Sequence, residues 1–174
     1  MISPIIKTIR QDPQYKKFKA VWVRIRKDLD IDVAVEECKI LHNARLSTKI
    51  KDNKGQFSPQ QLFDANAIDL STRSRMSYIA ANLQLRLSKL DTALDAIQNY
   101  ILNTYSKDIG VRTIDAQKKF VRRVLKQYIE LYEQGKAAFE FIEMLIKDID
   151  QTGFAMRNMV DCVKLLSETK GKVI

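Results

Sequence analysis

From Leu83 the apolar positions run Leu83, Leu87, Leu90, Leu94, Ile97 and Ile101, separated alternately by four and three residues. At about 100° per residue this spacing keeps them on one stripe of a helix. The pattern predicts a helix over 71–106, with Asp69 or Ser71 as a cap whose side-chain oxygen accepts from the first free amides. The polar stretch Ser106 to Asp108, followed by Gly110, suits its end. A second helix is expected to begin at Thr113, with a stripe of Val121, Val124, Tyr128, Leu131, Gly135, Ala138, Ile142, Leu145 and Ile149. Beside it Leu125, Tyr132, Phe139 and Ile146 form a row at sevenfold spacing, so the apolar face is wide enough for a bundle core or an oligomer. Gly135, unfavourable by about 1 kcal/mol relative to Ala within a helix, marks a close approach of another helix or a bend. Gln151-Thr152-Gly153 predicts a break, after which Phe154, Met156, Met159, Val160, Val163 and Leu166 form a terminal helix that frays from Thr169.

Toward the N-terminus, Tyr15, Phe18, Val21, Trp22, Ile25 and Leu29 fit a helical stripe, although Val21 to Arg26 also partly alternates as a strand would. Helix is the expected state. Val35, Cys38, Leu41 and Arg45 mark another short helix, Ser47 to Gln56 reads as a linker, and Ser58-Pro59 reads as a cap followed by proline in a first turn. The pattern as a whole predicts an all-α chain: a long antiparallel helical hairpin with shorter N- and C-terminal helices, assembling as an oligomeric helical bundle. Residues 1–57 form a basic N-terminal helical segment and linker, and residues 58–174 a helical core and oligomerisation domain.

Composition narrows the class further. Five Gly and three Pro in 174 residues give too little turn punctuation for a sandwich or barrel. The longest apolar runs, such as Ala20 to Val23, are far short of the roughly 20 residues that span a bilayer or the 7 to 15 of a leader core, so no membrane partner is expected. Two cysteines, Cys38 and Cys162, make no disulfide framework, and a reducing, cytoplasmic compartment is expected, the host's if the protein is viral.

Little in the chain points to catalysis. His42, the one histidine, shares a helix face with Cys38, which supplies half a zinc site at most. The acids Asp28, Asp30, Asp32, Glu36 and Glu37 resemble a calcium loop in content but not in spacing: counted from Asp28, Val33 stands where Gly is required and Lys39 where Glu is required. A metal-dependent nuclease using Asp28, Asp32 and Glu36 is a minor alternative. No phosphate-binding glycine motif occurs, and every Ser-His-acid combination would have to use His42. A non-enzymatic protein without cofactor or metal is expected.

Charge is the stronger signal. The formal net charge is +9, and residues 1–27 hold eight basic residues and one acid. The densest cluster is Lys118, Lys119, Arg122, Arg123 and Lys126; on a continuous helix these five form a face opposite Val121, Val124 and Tyr128. Their mutual repulsion is relieved by a strand of phosphates that gives up its condensed counterions. Arg73, Arg75, Arg86 and Lys89 on the preceding helix are further candidates for the same ligand. Tyr15, Phe18 and Trp22 interleave with Lys16, Lys17, Lys19, Arg24 and Arg26, a mixture that serves either base stacking or core packing.

The run Gly153-Phe154-Ala155-Met156-Arg157-Asn158-Met159-Val160-Asp161, placed after a long amphipathic helix, resembles the end of the UvsY-like phage recombination mediators. The similarity covers Lys118 to Ser167, with the motif confined to about nine residues. It implies a ring-like oligomer built through C-terminal helices that binds single-stranded DNA and helps a RecA-type recombinase replace the single-strand-binding protein. Gly153, Phe154, Ala155, Met156, Arg157, Met159 and Asp161 match and would belong to the terminal oligomerisation element. The chain departs from the family in an additional N-terminal segment and in lacking a clear counterpart of its DNA-binding loop. The oligomerisation set expected from pattern and resemblance together is Leu131, Gly135, Phe139, Ile142, Leu145, Ile149, Phe154, Met156 and Met159. The alternative reading is a structural scaffold, such as a viral assembly component, whose charge serves solubility.

Overall fold

The computed structural model describes residues 4–47, 58–111 and 113–170. Among them every regular element is helical: α1 (Pro4–Gln11), α2 (Pro13–Asp28), α3 (Ile31–Asn43), α4 (Pro59–Tyr105), α5 (Ile114–Val124) and α6 (Lys126–Lys170). The strand alternative for Val21 to Arg26 is thereby settled as helix. The expected linker lies outside the described residues except for Ser47.

The two long helices differ from their expected bounds in instructive ways. Helix α4 starts at Pro59 rather than near residue 71, because Ser58 and Gln61 form a reciprocal cap. Ser58 Oγ accepts from the Gln61 amide at 3.2 Å, and Gln61 Oε1 accepts from the Ser58 amide at 2.8 Å. Asp69 therefore caps nothing; it is buried in mid-helix, and its carboxylate serves another group described below. The Gln151-Thr152-Gly153 break is also absent, and α6 runs on to Lys170. Gly153 sits in that helix with open space around its Cα, and buried Ile149 and Met156 on either side hold the turn through their packing. The interruption that does occur falls at Leu125, which closes α5 with its amide on Val121 O at 3.0 Å and opens α6 by accepting from Tyr128 and Ile129. An apolar period that passes through the site without a change of phase hides it.

The chain divides into two compact units, Met1–Ile31 with Asn82–Phe139 and Asp32–Ala81 with Glu140–Ile174. Both long helices contribute to each unit and run antiparallel in both. In the first unit Leu87 of α4 meets Gly135 of α6; in the second Leu62 and Ala65 cluster with Met156, and Arg73 pairs with Asp150.

In the first unit the α4 stripe Leu83, Leu87, Leu90, Leu94, Ile97 and Ile101 is buried along its whole length, with Val121, Val124, Leu125, Tyr128 and Ala138 also buried there. Tyr15, Phe18 and Trp22 of α2 surround Tyr128, the last two with ring centroids 4.9 Å from it and edge-to-face planes. Those aromatics are core, and none is left as a stacking platform. Asp12 anchors the start of α2: its Oδ1 caps the Gln14 amide at 2.7 Å while Oδ2 accepts from Tyr100 at 3.0 Å and Tyr105 at 2.6 Å on α4. The bond to Asp12 is the main cause that pushes the Tyr105 hydroxyl up to about 12. At Gly110 the backbone is left-handed, with φ +73°, which glycine adopts without strain in the turn between α4 and α5.

Gly135 is the close approach that its place in the stripe implies. A Cβ there would collide with Leu87 Cδ2 and lie 3.7 Å from Ile31 Cδ1. Replacing Gly135 with Leu is expected to lower stability by about 1–3 kcal/mol, since an added side chain at a packed contact forces backbone shifts and strained rotamers. A urea titration monitored by far-UV circular dichroism reads this as a lower midpoint with an unchanged slope.

In the second unit Leu62, Ala65 and Met156 form a cluster covered by half-buried Leu46, Met159 and Val160. Beside them lies a polar centre. The Arg45 side chain is fully buried and grips Asp69 through two bonds, at 3.0 and 3.1 Å. It also reaches Asp148 Oδ2 at 3.1 Å, Ser47 Oγ donates to Asp69 at 3.0 Å, and His42 Nε2 is 2.9 Å from Asp148. Burial by itself would raise the Asp148 carboxyl, but the bonds from His42 and Arg45 outweigh it and hold the group below its ordinary value. The network ties the end of α3 to both long helices.

Candidate nucleic-acid interface

Helix α5 starts where Thr113 Oγ1 accepts from the Ala116 amide at 3.4 Å, as its position in the sequence predicts. The Gln117 side chain fixes it to the preceding turn, donating to Ser106 O at 3.2 Å and Val111 O at 3.0 Å. One face is buried through Val121 and Val124, and the other carries Lys118, Lys119, Arg122 and Arg123, all exposed. None of the four side chains makes an ion pair or hydrogen bond with another described residue. Lys126, the fifth base of the cluster, is also exposed but lies beyond the stop at Leu125, on α6, 3.5 Å from Glu130.

Lys118, Lys119 and Arg122 also border an open groove of about 570 Å³ walled by α4 and α6, with Leu94, Leu102 and Ile129 among its apolar lining. Tyr132 stands in the same groove with its hydroxyl raised, first by burial and then by its bond to Asp91. Asp91, Asp115 and Glu133 line it too, so negative charge borders its cationic side.

Arg73 and Arg75 have other occupations and lie in the second unit. Arg73 holds Asp150 in a bidentate pair at 2.5 and 3.1 Å, and Arg75 bonds Glu37 at 2.7 Å, so each has a carboxylate where a phosphate was expected. Sequence alone showed the bases but not these acids, which come from distant helices. Arg86 and Lys89 belong to the first unit but share a separate groove with Arg24 of α2.

The division of charge is something the linear sequence conceals. Of the chain's 30 Lys and Arg and 21 Asp and Glu, the first unit holds 18 and 9 and the second 12 and 12, so the entire +9 resides in the first. The second unit is electrically balanced.

Cys38, His42 and Ser47 are each held in the second unit. Cys38 is buried, and burial together with the neighbouring Glu37 pushes its thiol up to about 11, which keeps it protonated and unreactive. His42 is engaged by Asp148, and the Ser47 hydroxyl turns to Asp69 instead. Among the described residues no group of three His, Cys, Asp or Glu side chains is placed to hold a metal ion. No helix among them is long and apolar enough to cross a membrane.

Of the residues expected at an oligomer interface, Gly135, Ile142, Leu145, Ile149 and Met156 are buried within the chain itself, and Leu131, Phe139 and Met159 are half-buried. Phe154 is exposed at 62%. It has company in the second unit: Phe63, Leu70 and Tyr78 on α4 and Met144 and Leu165 on α6 are exposed as well. Compared with protein-family models, curated proteins and solved structures, the chain matches none.

Proposed function

We propose that this chain is a non-enzymatic, homo-oligomeric protein that binds single-stranded nucleic acid, and that it acts as a recombination mediator as its C-terminal motif implies. The observation that carries the reading is the confinement of all net positive charge to the first unit, with Lys118, Lys119, Arg122 and Arg123 exposed and unpaired on α5. Such a face neutralises phosphates without reading sequence. Repetition of the face around an oligomer multiplies a weak contact into stable binding. Specificity then rests with protein partners, a recombinase and a single-strand-binding protein in the mediator reading.

Anisotropy of labelled single-stranded and double-stranded oligonucleotides, titrated at several salt concentrations, tests this. Four to five phosphate contacts at about 0.7 each give a slope of log K against log salt near −3 for single strands. Absence of binding at low salt refutes the proposal.

Assembly is assigned to the apolar side chains that the second unit exposes, with Phe63, Leu70 and Phe154 foremost. Replacing Phe63 and Phe154 together with Ser is expected to reduce the mass seen in light scattering, and an unchanged mass would remove them from the interface. The same residues favour a second reading, a scaffold that packs on copies of itself. That reading takes over if the oligomer forms and no nucleic acid binds.

A further inference from the structure

The groove between α2 and α4 in the first unit differs in chemistry from the α5 face. Its lining includes Arg24, Arg86 and Lys89, and none of the three side chains makes an ion pair or hydrogen bond with another described residue. Asp28 is its one acid, leaving an excess of two positive charges. Its apolar lining is aliphatic: Val21 and Leu85 are 48% and 56% exposed, and Ile25 is half-buried. On α4 these residues turn away from the side that lines the α5 groove, so the two sites are separate.

This combination discriminates between polyanions. A nucleic-acid strand is held by cations for its phosphates and by aromatic faces for its bases, and the α2–α4 groove has no aromatic lining residue. Uncovered aliphatic surface gains nothing from a sugar-phosphate backbone, whereas leucine- or isoleucine-type side chains would bury it. Cations beside exposed aliphatic side chains complement a peptide that alternates acidic and aliphatic residues.

We infer that the α2–α4 groove docks an acidic, aliphatic segment of a protein partner, with carboxylates on Arg24, Arg86 and Lys89 and apolar side chains over Val21, Ile25 and Leu85. This assignment takes Arg86 and Lys89 away from the nucleic-acid path and is independent of whether α5 binds a strand.

The test uses the full chain as bait for a library of displayed random dodecapeptides, counter-selected on the variant Arg86→Glu/Lys89→Glu/Leu85→Ser. Leu85 and Lys89 are exposed and Arg86 is half-buried, and circular dichroism verifies the variant's fold. The expected result is enrichment of peptides combining Asp or Glu with Leu, Ile, Val or Met. In anisotropy, such a peptide loses about tenfold in affinity on the Arg86→Glu/Lys89→Glu variant, and Leu85→Ser alone weakens it severalfold. Oligo(dT) affinity stays within about twofold of the parent's, since these cations make no phosphate contact. The inference is overturned if no enriched peptide depends on these residues, if Leu85→Ser leaves peptide binding unchanged, or if the charge reversal weakens oligo(dT) as much as the peptide. The last outcome assigns the groove to nucleic acid.

Discussion

Replacing Arg45 with Ala is expected to lower the stability of this protein by about 3–5 kcal/mol, the cost of removing one partner from a buried ion pair. The guanidinium is inaccessible to solvent and makes two bonds to Asp69, whose side chain is only 4% exposed. Without it the Asp69 carboxylate keeps the Ser47 hydroxyl but loses its countercharge. Lysine restores the charge but cannot reproduce the two-pronged geometry, so Arg45→Lys recovers a minor part of the loss. The double variant Arg45→Met/Asp69→Leu, which removes both charges, is expected to be far more stable than either single change. Urea midpoints for the parent, Arg45→Met, Asp69→Leu and the double variant give the comparison, and equal losses in the single and double variants would show that shape rather than charge pairing matters at this centre.

Reversing Lys119, Arg122 and Arg123 to Glu is expected to abolish binding of single strands at physiological salt. Each reversal removes one phosphate contact and adds a repulsive charge, so the salt dependence loses about 0.7 per residue and the affinity falls by at least about a hundredfold. All three side chains are exposed on a helix whose buried face is Val121 and Val124, so the fold is left intact, and circular dichroism checks this. Retained binding in the anisotropy titration would move the strand off α5.

What could be read from the sequence was the part governed by local periodicity. The Leu83 to Ile101 stripe, the Thr113 cap and the seam through Gly135 depend on spacing and on the neighbouring turn, and all three stand in the structure. What could not be read depended on partners far along the chain. Asp69 looks like a cap until Arg45 is seen to claim it. Arg73 and Arg75 look like free cations until Asp150 and Glu37 are brought to them. The aromatics of α2 are ambiguous until Tyr128, more than 100 residues later, sits between them. The stop at Leu125 leaves no mark because the apolar phase is unchanged across it. The candidate interface was therefore legible as a cluster of bases, while the carboxylates that meet Arg73 and Arg75 come from the fold.

Whether a nucleic-acid strand lies on α5 is read by lysine footprinting with and without saturating oligo(dT). Acetylation at each lysine is quantified by mass spectrometry. A strand on α5 strongly protects Lys118 and Lys119 and leaves Lys39 and Lys147 of the charge-balanced second unit unchanged. Equal reactivity of Lys118 and Lys119 in the free and bound protein, or protection centred on Lys147, would contradict it.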